Sequence, residues 1–144
     1  MKLNQLSVFL ENQPGQLRVP CAALAQAGIN IVTLSLADTE QFGILRLIVP
    51  DWQKAKTVLE AAGCVVKITE VLAVEVADQP GGMARLLDIM DRTGLNIEYM
   101  YAFTEKRSDK GILVFRFEDP DAAGRALQAA GVNIIGMVDL FSRA

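Results

Sequence analysis

Two stretches of alternating apolar residues, Leu6, Val8, Leu10 and Leu72, Val74, Val76, are each followed by apolar residues at helical spacing. These are Leu17, Cys21, Leu24 after the first and Met83, Leu87, Met90 after the second. A period of two marks a strand with one buried face, and a period near 3.6 marks an amphipathic helix. Between strand and helix stand Asn12-Gln13-Pro14-Gly15 and Asp78-Gln79-Pro80-Gly81, two versions of one turn.

The correspondence extends through the chain. An offset of 66 carries Leu6, Gln13, Pro14, Gly15, Gly28 and Asn30 onto Leu72, Gln79, Pro80, Gly81, Gly94 and Asn96. Later an offset of 68 carries Gly43-Ile44-Leu45, Asp51 and Ala61-Ala62-Gly63 onto Gly111-Ile112-Leu113, Asp119 and Ala129-Ala130-Gly131. The extra two residues fall in a loop, where a structural repeat absorbs insertions. The chain therefore reads as two repeats, 1–69 and 70–144, with no Gly/Pro/Ser-rich hinge between them.

Within the first repeat the pattern predicts a strand over 4–10 and a helix over 16–27 stopped by Gly28. Strands over 30–37 and 43–49 follow, then a helix after Asp51 as N-cap and a fourth strand over 64–68. Pro20 is incompatible with a helix starting at 16 unless it falls in the first turn, so this helix starts late or bends. In the second repeat the hairpin tip is 105–110 and the fourth strand is expected over 134–141. The order βαββαβ, twice, defines an α+β chain of two tandem ferredoxin-like domains, antiparallel sheets with helices on one face.

Composition narrows the function. Of 144 residues, 51% are apolar and 22% charged, enough for a packed core. The formal charge of −3 disfavours a nucleic-acid backbone binder, which needs a basic face. Tyr99, Tyr101 and Phe103 would suit RNA stacking, but the first repeat has Thr33, Ser35 and Ala37 there. Histidine is absent, removing the commonest general base and metal ligand. No metal site, cofactor or catalytic residue is expected, and neither first loop holds the thiol pair of a copper carrier.

Cys21 and Cys64 share no motif and read as free thiols of a reducing compartment. The uncharged run 19–37 approaches a membrane span in length. Pro20, Gly28 and Asn30 interrupt it, and its counterpart carries Asp88, Asp91 and Arg92. No signal peptide pattern opens the chain, so a cytoplasmic protein without a membrane segment is expected.

The candidate chemistry lies in the turns. A helix N-terminus offers unpaired N–H groups and a partial positive charge, which favour a carboxylate. The adjacent Gly lets a ligand approach the backbone. The Gln16 and Leu17 amides, or those of Gly82 and Met83, are expected to meet the carboxylate. The ammonium is expected at Asn12 or Asp78, with Asn30 or Asn96 adding an amide from the next strand.

The runs Leu10-Glu11-Asn12-Gln13-Pro14-Gly15-Gln16-Leu17 and Ala27-Gly28-Ile29-Asn30-Ile31 resemble an ACT domain. Asp78-Gln79-Pro80-Gly81-Gly82-Met83 and Gly94-Leu95-Asn96-Ile97 resemble the same pattern. The resemblance covers essentially the whole chain and implies amino-acid binding at interfaces between two ACT domains. Its implied ligand contacts are Asn12, Gln13, Pro14, Gly15, Gln16, Leu17, Asn30 and Ile31, and then Asp78, Gln79, Pro80, Gly81, Gly82, Met83, Asn96 and Ile97. The expectation is a non-catalytic homodimeric sensor, passing amino-acid occupancy to a separate enzyme or transporter. The alternative is a small enzyme on a ferredoxin-like scaffold, which the fold alone does not exclude.

Overall fold

The computed structural model describes residues 2–104 and 109–141. Most of the expected hairpin tip at 105–110 lies outside the described residues. The chain divides into two compact units, one Asn4–Thr69 and the other beginning at Glu70, with the first residues of the chain grouped with the second.

The first unit contains β1 (Leu3–Glu11) from its second residue on, α1 (Arg18–Gln26), β2 (Thr33–Asp38), β3 (Phe42–Ile48) and α2 (Trp52–Ala61). β3 pairs antiparallel with β1, setting Val8 opposite Leu45, and with β2, setting Leu36 opposite Leu45. The alternation of β1 places Leu6, Val8 and Leu10 on the face that meets Leu24 of α1 and Ala55 and Leu59 of α2. Both helices thus lie on one side of the sheet. Asp51 caps α2, its Oδ1 accepting from the Lys54 N–H at 3.1 Å.

The unit boundary falls inside one strand, β4 (Val65–Ala77). The strand expected over 64–68 and the next one beginning near 70 are thus a single element. The second unit continues with α3 (Gly82–Thr93), β5 (Ile97–Ala102), β6 (Lys110–Phe117) and α4 (Pro120–Ala129). β6 pairs antiparallel with β4 and β5. Leu72 and Val74 pack with Phe115 and Phe117, beneath Leu86 and Met90 of α3 and Leu127 of α4. Asp119 repeats the cap of Asp51, accepting from the Ala122 N–H at 3.1 Å.

The strand expected over 134–141 is mostly helix. Only β7 (Ile134–Ile135) pairs with β4, and α5 (Met137–Phe141) follows. The Leu140 N–H donates to the Gly136 carbonyl at 3.1 Å, closing a helical turn that buries Leu140.

The turns differ in how their helices begin. α1 starts at Arg18, so Pro20 is its third residue, where the missing N–H costs no internal bond. α3 starts two repeat positions earlier, at Gly82, directly after Gly81 at φ +84°. Gly15 matches Gly81 with φ +86°. Where Gln16 stands in the first turn, the second needs Gly82. A Cβ there would collide with the Ala77 carbonyl oxygen and lie 3.0 Å from the carbonyl carbon.

Candidate functional site

Each unit carries its strand-to-helix turn above a shallow hollow. In the first, the Asn12 N–H donates to the Gln41 carbonyl at 2.9 Å. Its Nδ2 donates to the Glu40 carbonyl, also at 2.9 Å. The amide therefore ties the turn to the β2–β3 hairpin tip, where Glu40 has φ +66°. In the second unit the Asp78 N–H donates to the Asp109 carbonyl at 3.0 Å. Position 78 thus carries a carboxyl group where Asn12 has the amide donor of this clamp.

The four amides expected to receive a carboxylate fall into two kinds. The Gln16 N–H donates to Gln13 at 3.3 Å and the Gly82 N–H to Gln79 at 3.0 Å, so these two close the turns themselves. Among the described residues, neither the Leu17 nor the Met83 amide makes a backbone hydrogen bond. Of these four, one amide per turn is left without a backbone partner. Leu17, as N-cap, offers no side-chain cap of its own.

Asn12 and Gln13 line a hollow of about 500 Å³ with Glu40 and Gln41. Asp78, Gln79, Pro80 and Met83 line another, of about 560 Å³. Pro14, Gly15, Leu17 and Gly81 are exposed beside these hollows in sequence without lining them.

The two asparagines are elsewhere. α1 runs away from its turn for nine residues, about 13 Å at 1.5 Å per residue. It ends in a Schellman arrangement: Gly28 N–H to Ala25 at 3.1 Å and Ile29 N–H to Leu24 at 2.9 Å. Asn30 and Ile31 follow there, at the opposite end from Asn12. α3, with twelve residues, separates Asn96 and Ile97 from Asp78 by about 18 Å. Neither asparagine joins the turn of its own unit, because the intervening helix reverses the chain direction. Glu98, the other acid close to the expected second site in sequence, pairs with Arg116 Nε at 3.3 Å.

A groove next to each hollow went unforeseen. In the first unit it holds about 450 Å³, walled by Phe9, Glu11, Gln16, Val19, Phe42 and Val65 among others. In the second it holds about 260 Å³, walled by Glu75, Gly82, Arg85, Lys110 and Asn133 among others. The two are the same place in the repeat: 9 onto 75, 16 onto 82, 19 onto 85, 42 onto 110, 65 onto 133. That divergence was the available signal. Cys64 also lines the first groove, and burial raises its thiol pKa. Among the described residues no three His, Cys, Asp or Glu side chains gather as a metal site. No helix of those residues is long and apolar enough to cross a membrane.

Two βαββαβ units, each with a Gly-bearing turn feeding its first helix, define a tandem ferredoxin-like protein. The family of ACT domain pairs matches residues 1–142, and the chain belongs to it. A protein from Bacteroides thetaiotaomicron is 35% identical with TM-score 0.90, over 98% of this chain and 96% of that one. The regulatory subunit of aspartate kinase from Thermus thermophilus is 20% identical with TM-score 0.62, over 88% and 91%. That from Thermus flavus is 22% identical with TM-score 0.61, over 89% and 92%. At these lower identities the likeness is one of fold. No curated protein matches the sequence.

Proposed function

We propose that the chain is a non-catalytic sensor that binds an amino acid at its ACT turns and regulates a separate enzyme or transporter. The observation that carries this reading is the twice-built turn. Each offers, among the described residues, a backbone amide without a backbone partner: Met83 lines the hollow that contains Asp78, and Leu17 follows the turn residues Asn12 and Gln13 that line the other. A carboxylate suits the amide at a helix start, and an ammonium suits the Asn12 carbonyl oxygen or the Asp78 carboxylate.

Because Asn30 and Asn96 stand a helix length from their own turns, each turn is half a site. In this reading another ACT domain supplies the asparagine, and a homodimer in the cytoplasm is the working assembly. A ligand held between domains binds one arrangement better than another, which is what coupling to a partner requires. The Thermus fold neighbours, regulatory subunits of aspartate kinase, support the regulatory half by analogy.

The test is a thermal-shift screen of the full chain against the twenty amino acids. A ligand at 100 times its dissociation constant stabilises by about 2.7 kcal/mol. A flat screen with folded protein would sink the sensor reading. Asn30→Ala and Asn96→Ala should each weaken binding; if neither does, the assigned half-sites are wrong.

A further inference from the structure

We propose that the two units select different ligands, the first taking an amino acid with an apolar side chain into its groove and the second rejecting one. This rests on the amino-acid reading above and assigns its ligand class. In the first unit Glu11 and Phe42 line both the turn hollow and the groove, so the two spaces share a wall. In the second, Val76 and Ala77 do the same. An amino acid with its head group in the hollow thus has its side chain directed over that wall into the groove.

The grooves differ in what they reward. Phe9, Val19, Phe42 and Val65 stand 41%, 44%, 53% and 66% exposed around the first. Four large apolar side chains converging on one hollow gain by covering each other with an apolar group. Its volume of about 450 Å³ lies within the usual range of small-molecule sites, roughly 300 to 1,000 Å³. Among the described residues, the ionisable side chains on that wall are Glu11 and the Cys64 thiol. Glu11, at the edge shared with the hollow, is placed for the ligand's ammonium rather than its side chain. The second groove, of about 260 Å³, keeps apolar residues on its wall (Val76, Leu86, Ile89, Val132) but puts Glu75, Arg85 and Lys110 at the positions of Phe9, Val19 and Phe42. An apolar side chain there would strip water from charges without replacing their hydrogen bonds.

The experiment uses the intact chain. Glycine, alanine, valine, leucine and phenylalanine are titrated by calorimetry, with aspartate and glutamine alongside. Iodoacetamide labelling of Cys64 is followed by peptide mass spectrometry, which separates it from Cys21. Affinity should rise about fourfold per buried methylene, the equivalent of roughly 0.8 kcal/mol. Saturating leucine should slow Cys64 labelling at least fivefold. Val19→Arg and Phe42→Lys, both at exposed positions, should each weaken leucine at least tenfold and leave any polar ligand of the second unit unchanged. An affinity series flat in side-chain size, leucine that leaves Cys64 labelling unaltered, or variants that bind leucine normally would each overturn the assignment. Binding of polar amino acids alone would overturn it while sparing the sensor reading. No binding by any amino acid would remove both.

Discussion

Gly82→Ala isolates what the second turn demands of its sequence. Gly82 is buried, and a Cβ on it meets backbone, the Ala77 carbonyl group, instead of a side chain able to swing aside. The turn must open by about an ångström to restore ordinary contact. That displacement strains the Gly82 N–H bond to Gln79, now 3.0 Å, worth about 1 kcal/mol. Overpacking of this kind adds about 1–3 kcal/mol. The total of roughly 2–4 kcal/mol compares with a typical domain stability of about 5–15 kcal/mol. Urea unfolding followed by circular dichroism reads it from the midpoint at constant m-value. Gln16→Ala, at the matching position of the first turn, should change stability by less than about 0.5 kcal/mol. If Gly82→Ala is as stable as Gln16→Ala within about 0.5 kcal/mol, the close approach at Ala77 does not constrain the turn and the reasoning fails.

Asn12→Ala should cost about 0.5–1.5 kcal/mol through loss of the Glu40 bond, and should raise amide exchange at Glu40 and Gln41; unchanged exchange would refute the clamp. Leu24→Ala, at a fully buried position among both helices and the sheet of the first unit, should cost about 2–5 kcal/mol in the same urea assay. Asp51→Ala and Asp119→Ala should each cost about 1 kcal/mol, and Asp→Asn at either site should recover most of it. Cys64 labelling should reach half its maximal rate at a higher pH in the folded chain than in urea, because burial favours the neutral thiol. The sign for stability follows: this raised pKa contributes below the unfolded thiol pKa and is lost as pH climbs through the folded value. Coincident labelling curves would contradict it.

The repeat and its elements were legible because the punctuation is chemical. Gly15 and Gly81 stand at left-handed positions, Asp51 and Asp119 at caps, and the alternation of Leu6, Val8, Leu10 is the core face itself. The end of the chain was not legible. Ile134 to Phe141 is a short apolar run, which periodicity cannot divide between strand and helix. In the first repeat the equivalent strand continues without a break into the next, whereas β7 stops after two residues. The geometry around the turns was only partly legible. Counting sixteen residues from Pro14 to Asn30 suggests closeness, but a helix converts that count into distance. Engagement of the Gln16 and Gly82 amides depends on turn closure, which residue types alone do not specify.

Pro20 has a consequence for how the two copies can drift. With Pro20 in its first turn, α1 starts two repeat positions later than α3, and position 16 carries Gln where the close contact with the Ala77 carbonyl holds position 82 to glycine. Position 16 lines the groove and carries Gln, so single substitutions there can retune one copy at little cost in folding. The other copy has that door shut, and its preferences can change only through neighbours such as Arg85 or Lys110. After duplication, the two halves inherited the same turn but unequal freedom to vary it.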